Sequence, residues 1–340
     1  MKTSLSFIAV AVLAVLSGSA CSKEPTWQRL DLPAGAELRD LADCDGTWWA
    51  VGALHGAPAA WTSTDGASFT SVPFAPLPDS YYGPHDVITS VACAAGRVAM
   101  IGAIPGGAHG NPRVSTWHLD GGKMTENPAT FETYGGDRAV DVGPLGAGPR
   151  GFAIAGNRSS GAATWLSPDG HTFTLFEDAT GLAGDGTHET MARDAVVMPD
   201  GRWGIVGGAA VPRSLDEVAA VWLTTDGKTW TRDDPPAGTG FNEIQRAVRQ
   251  GDDVVAAGIR GTAFGLWRWH AGKWATGATF GGDPGGVRSL AVAAGKPIVA
   301  GGGLWIDGRA AAAPTPPAAV AGRGRVLLLA GAGGLWRTRV

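Results

Sequence analysis

The sequence predicts an all-β protein, a seven-bladed β-propeller closed by its own N-terminal strand, and three observations predict it. A short apolar segment ending at a glycine recurs seven times, a tryptophan follows each copy, and the last copy lacks a fourth strand that the first mature residues can supply. Six blades are the alternative if the short unit at 287–316 is only an insertion.

The copies are "TWWAVGA" (47–53), "RVAMIGA" (97–103), "GFAIAGN" (151–157), "RWGIVGG" (202–208), "DVVAAGI" (253–259), "PIVAGGG" (297–303) and "RVLLLAG" (325–331), each short and apolar enough for a buried strand. Trp61, Trp117, Trp165, Trp222, Trp267, Trp305 and Trp336 follow at gaps of 9, 15, 9, 15, 9, 4 and 5 residues from the aligned glycine, so the hairpin between second and third strands is what varies. Another apolar strand precedes each copy, as in "SVACA" and "DAVVM", and a turn after each tryptophan leads to a fourth, as in "TFTLF". A lone four-stranded meander is marginal, so stability must come from blade-on-blade burial, with one tryptophan of each blade set against the next. The seventh unit stops at "GGLWRTRV", while "TWQRLDL" (26–32) reads like the fourth strand "TWTRDD" at 229–234 and completes the ring. No helical stripe persists, and no linker divides the repeat.

Three of the turns share a layout: "WTSTDGASF" (61–69), "WLSPDGHTF" (165–173) and "WLTTDGKTW" (222–230). Asp65, Asp169 and Asp226 can accept hydrogen bonds from turn amides, while Gly66, Gly170 and Gly227 supply the positive φ of a tight turn. These turns resemble the Asp-box, or BNR, repeat of sialidases, of Ycf48-type photosystem II assembly factors and of many exported bacterial propellers. The resemblance covers 26–340 and implies that the box is structural, on the outer edge away from the ligand face.

At the N-terminus, Lys2, an apolar run from Leu5 to Leu16 and "SGSAC" form a secretory signal over 1–20, the run being too short to span a bilayer as a helix. Cys21 after Gly18, Ser19 and Ala20 resembles a bacterial lipobox, which implies a lipid on Cys21, a short tether at 21–25, and an exported protein held at the cell membrane or outer membrane. Cys44 and Cys93 occupy matching places in neighbouring repeats of an exported chain, as a disulfide or as two small buried apolar residues. A net charge of −4 and a pI of 6.0 give no electrostatic case for nucleic acid.

Chemistry is sparse in the sequence. The resemblance raises sialidase activity, which needs an arginine triad and a tyrosine–glutamate pair, yet the only tyrosines are Tyr81, Tyr82 and Tyr134. "HETMA" (188–192) begins like a zinc motif, but Ala192 fills the second ligand's place; no P-loop, dinucleotide fingerprint or nucleophile elbow occurs, so no metal and no cofactor is expected. Arg39, Arg193, Arg246 and Arg288 recur where the innermost strands begin, 12 to 14 residues before the aligned glycine. They form either an anion site at the channel mouth or a ring of ion pairs with Glu37, Asp137, Glu189, Glu243 and Asp283. His85, Asp86, His188 and Glu189 lie in the glycine-rich loops feeding that mouth. The expectation is a monomeric, non-catalytic binding or assembly module that meets an envelope protein or a glycan there. The alternative is a glycan-cleaving hydrolase using Glu189 with Asp86 or Glu243.

Overall fold

A computed structural model describes residues 24–106, 110–214, 216–236, 238–283 and 285–340. The signal segment 1–20 and Cys21 lie outside the described residues. The described residues form seven sheets, antiparallel except for one outer strand of blade two. Their innermost strands are Ala36–Cys44, Val87–Ala94, Ala139–Gly148, Glu189–Val197, Asn242–Gln250, Ser289–Ala293 and Pro317–Arg323. The unit at 287–316 is a blade in its own right, with four paired strands from Ser289 to Ala311, so the count is seven. Gln28–Leu30 pairs antiparallel with Gly334–Arg339, Leu30 opposite Leu335, and both leucines are buried. The N-terminal strand therefore closes the last blade. Blade two carries a fifth strand, Phe74–Ala75, which runs parallel to Lys123–Glu126 at its outer edge.

The repeating glycine has a steric cause. In blades one, two, four, five and seven the innermost strand bulges at one place, between Leu38 and Asp40, Ile88 and Ser90, Ala192 and Asp194, Ile244 and Arg246, and Pro317 and Ala319. The bulge pushes a carbonyl toward the second strand. A Cβ on Gly52 would stand 1.8 Å from the carbonyl oxygen of Glu37, and one on Gly258 would stand 1.9 Å from that of Glu243. The residue after the bulge then reaches the next blade. Carboxylates of Asp40 and Asp194 accept the amides of Val91 (2.9 Å) and Ala247 (3.0 Å), and the Ser90 hydroxyl accepts that of Leu145 (3.0 Å).

Side-chain alternation along the third strands provides the rest. In Glu217–Thr224, Ala220 and Trp222 face blade three, while Ala219, Val221 and Leu223 face blade five. The tryptophans thus wedge against the preceding blade rather than the next one, because the tryptophan-bearing side of each third strand points backward round the ring. Trp61, Trp117, Trp165, Trp222 and Trp267 are buried, and each stabilises its interface by about 3–5 kcal/mol on the scale of core Trp-to-Ala losses.

The three Asp turns share one hydrogen-bond pattern. Asp65 Oδ1 accepts the amides of Ala67 (2.8 Å) and Ser68 (2.9 Å), Asp226 Oδ1 those of Lys228 (2.9 Å) and Thr229 (3.0 Å), and Asp169 Oδ1 that of His171 (2.9 Å). These donors pull the Asp65 carboxyl down to about 2. An arginine from the preceding blade donates to the carbonyl just before each aspartate: Arg323 to Thr64, Arg97 to Pro168, and Arg150 to Thr225. This end is the bottom face. Cys44 and Cys93 are disulfide-bonded with Cα atoms 5.6 Å apart, joining the ends of two neighbouring innermost strands.

Candidate functional site

Innermost strands begin at the opposite, top end, and there the chain places its long loops. A central channel of about 790 Å³ runs through the ring, lined near its mouth by Arg39, Arg246 and Arg288 with Asp40 and Asp194. The arginines do not act as one group. Arg39 pairs with Glu37 at 3.1 Å, both well exposed, and Arg193 donates to the buried Glu243 at 2.6 Å across the interface of blades four and five. Arg246 donates to the carbonyls of Arg288 (2.9 Å) and Gln245 (2.6 Å). Arg288 has no acidic partner within 4.0 Å among the described residues.

The channel's acids are set by burial. Burial pushes Asp40 and Asp194 up to about 6, while amide donors and the charge of Arg246 work against it. Beside Arg193, burial raises Glu217 to about 7, with the charge of Glu243 adding to it and that of Arg193 opposing; its buried Oε1 has no hydrogen-bond partner among the described residues. Asp40, Asp194 and Glu217 were absent from the sequence-based set. The first two were visible as the second letter of the "RD" pairs in "LRDLA" and "ARDAV".

A second cavity, of about 560 Å³, opens on the top face between blades two and three. Three segments build it: the loop 76–86 entering blade two, the hairpin end at 112–115, and the loop 126–135 entering blade three. Tyr81, Tyr82 and Tyr134, all the tyrosines of the chain, line it together with Phe131, Arg113 and Glu126. Tyr81 is 77% exposed and Phe131 53%, whereas Tyr134 is buried and its hydroxyl lies 3.2 Å from that of Thr116. Glu126 is buried and holds the loop by accepting the Leu77 amide (2.9 Å) and the Ser80 hydroxyl (2.7 Å).

His85 and Asp86 part company at the pocket's back. His85 ends the short 3-10 turn Gly83–His85 and stands edge-on to Tyr81 with ring centroids 6.4 Å apart. Asp86 is fully buried and accepts the indole N–H of Trp117 at 3.1 Å. Burial raises it to about 7, the bonds from Trp117 and Ser115 oppose this, and the charge of Glu126 adds to it. His188 and Glu189 lie far round the ring: His188 sits in the turn held by Asp185, and Glu189 opens the innermost strand of blade four with its side chain exposed. Asp86 belongs to blade two and Glu189 to blade four, with blade three between them. Among the described residues no three His, Cys, Asp or Glu side chains gather as a metal site.

No family model and no curated protein matches the sequence. Solved structures do match. The chain is similar to virginiamycin B lyase from Staphylococcus aureus, with a TM-score of 0.60 and 13% identity over 93% of this chain and 100% of that one. It is similar to YCF48 from Cyanidioschyzon merolae, with a TM-score of 0.57 and 13% identity over 92% and 98%, and to the β-propeller domain of Cps50 (Swd1) from Myceliophteria thermophila, with a TM-score of 0.55 and 11% identity over 91% and 98%. The fold is that of a β-propeller. At such identities the likeness reaches no further, since one scaffold carries lyases and non-catalytic propellers alike.

Within this propeller the sequence-based residues divide into four places: Arg39, Arg246 and Arg288 at the channel, Arg193 with Glu243 between blades four and five, His85 with Asp86 behind the aromatic pocket, and His188 with Glu189 at the start of blade four. Glu126, Arg113 and Phe131 were not singled out from the sequence. No local signal marks them: Arg113 and Glu126 stand at the ends of ordinary third and fourth strands, and Phe131 lies in the connection to blade three.

Proposed function

We propose that this protein is an exported, lipid-anchored binding module of the bacterial cell envelope, which holds an envelope protein or a glycan against its top face without turning it over. One observation carries this reading. Among the described residues six large apolar side chains are exposed, Tyr81, Tyr82, Phe131, Val140, Val211 and Phe241, and all six lie at the top, on loops or at the first residues of innermost strands. Apolar surface gathered on one face of a rigid scaffold is what a partner site requires.

The chain's direction sets which face an anchor would turn to the membrane. Gln28–Leu30 enters the outer edge of blade seven from the bottom, since Gln28 pairs with Arg337 and Leu30 with Leu335 of a strand that descends from the top. A lipid on Cys21 therefore holds the Asp turns toward the membrane and presents the aromatic loops away from it. Against turnover, glycoside cleavage needs two available carboxylates about 5–10 Å apart. Asp86 is sealed, and Glu243 is buried against Arg193.

The test compares wild type with Tyr81→Ala/Phe131→Ala and Phe241→Ala on glycan arrays and in capture from envelope extracts. At least a tenfold loss of a specific partner is expected for the top-face variants, with Arg150→Ala on the bottom face as control. Equal capture by all of them would refute the assignment of the face.

A further inference from the structure

Wall and floor of the pocket between blades two and three differ in chemistry. The wall is aromatic, formed by Tyr81, Tyr82, Phe131 and Tyr134. The floor is acidic. Each oxygen of Glu126 accepts one bond from the loop 76–86, which leaves further acceptor capacity on both. Behind it Asp86 is fully buried, and its Oδ1 has no hydrogen-bond partner among the described residues. The charged lining side chains are Asp79 and Glu126 against Arg113, an excess of one negative charge.

We propose that this pocket binds an alkylammonium group, seated on the tyrosine and phenylalanine rings with Glu126 as its counter-ion. The inference rests on the top face being the binding face and names the ligand chemistry of one site on it. Ring faces are negative at their centres, and an alkylated ammonium loses little hydration when it leaves water, so aromatic walls over a carboxylate suit it. An anion meets the Glu126 charge, and a neutral ring gains nothing from it. The volume is in the ordinary range for a small-molecule site. The protein already makes one such contact: the Arg113 guanidinium lies over the Phe131 ring, 4.6 Å from its centroid. Arg113 is therefore the competitor that an incoming cation displaces.

Isothermal titration of the protein with choline and with 3,3-dimethylbutan-1-ol, which has the same shape without the charge, tests this. Choline is expected to bind about tenfold more tightly or better, as a partly desolvated cation–π contact predicts. Glu126→Gln, which keeps an acceptor for the Leu77 amide, is expected to lower choline affinity several-fold and leave the neutral analogue unchanged. Arg113→Gln is expected to raise choline affinity. Co-sedimentation with phosphatidylcholine vesicles, run beside free choline, tells a membrane headgroup from a soluble cation, and binding to either supports the pocket chemistry. Equal affinity for the neutral analogue, no choline binding at millimolar concentration, or weaker binding by Arg113→Gln overturns it. If choline fails while Tyr81→Ala/Phe131→Ala still abolishes partner capture, the ligand class falls and the binding face stands.

Discussion

Asp86→Asn gives the sharpest check on the pocket's electrostatics. Asp86 rises from its ordinary 3.8 to about 7, first because burial disfavours the ionised form, and also because Glu126 lies near. A carboxyl with a raised folded-state value binds its proton more tightly when folded. Its favourable share of stability is complete below about pH 4, falls as pH rises, and is gone above about pH 7. Three units at about 1.4 kcal/mol each put the swing at about 4 kcal/mol. Asparagine does not titrate, and its amide oxygen can still accept the Trp117 indole N–H that Asp86 Oδ2 accepts at 3.1 Å. Urea unfolding of wild type and Asp86→Asn from pH 4 to pH 8 should show curves that nearly meet at pH 4 and separate by about 4 kcal/mol in favour of the variant at pH 8. A difference that stays constant with pH would mean that Asp86 is ionised in the folded protein throughout, and the account of the pocket floor would fail.

Two further outcomes follow from the bottom face and the ring closure. Arg150→Ala removes the bond to the Thr225 carbonyl at 2.9 Å and should lower stability by about 1 kcal/mol, read as a small fall in melting temperature without change in top-face binding. Breaking the Cys44–Cys93 bridge, by reductant or by Cys44→Ala/Cys93→Ala, frees a separation of 49 residues and should cost about 4 kcal/mol by chain entropy; calorimetry with and without reductant checks it, and an unchanged transition would show that the bond does not constrain the unfolded chain.

Seven glycines and seven tryptophans made the architecture readable, because both serve close contacts on the innermost strand or the blade seam that recur round the ring, with Gly102 facing the Asp86 side chain instead of a carbonyl. Gly52 and Gly258 face bulge carbonyls, and Trp222 and Trp267 fill the seam to the blade before. The arginines were less readable for a local reason. Arg39 and Arg193 occupy the bulge itself, whereas Arg246 stands one place later, where blades one and four carry Asp40 and Asp194. A one-residue difference in a strand turns the side chain to another surface. A spacing of 12 to 14 residues cannot register that, so residues aligned in sequence diverge into an exposed pair, an interface pair and a channel residue. Arg113 comes together with Glu126 and Phe131 only through the folding of two separate segments, 112–115 and 126–135, which no period records.

The contrast between blades explains why the pocket lies where it does. In blades three and five the wedged tryptophan gives its indole N–H to a backbone carbonyl in the loop above, Trp165 to Thr133 and Trp267 to Pro236. In blade two Trp117 meets the Asp86 carboxylate instead. A neutral carbonyl satisfies that donor at little cost, whereas a buried carboxylate with one oxygen unpaired costs several kcal/mol. Gly102 makes room for it, since a Cβ there would stand 2.5 Å from Asp86 Oδ2. The ring tolerates the expense because its other seams are filled largely by apolar wedges, with Glu243 between blades four and five paired to Arg193. Sequences break their own local rule chiefly where function demands it, and here the broken seam is the one beneath the aromatic loops. The carboxylate that weakens blade two at neutral pH lies behind Glu126, and it is Glu126 that lines the pocket and supplies the negative floor that a cation would stabilise.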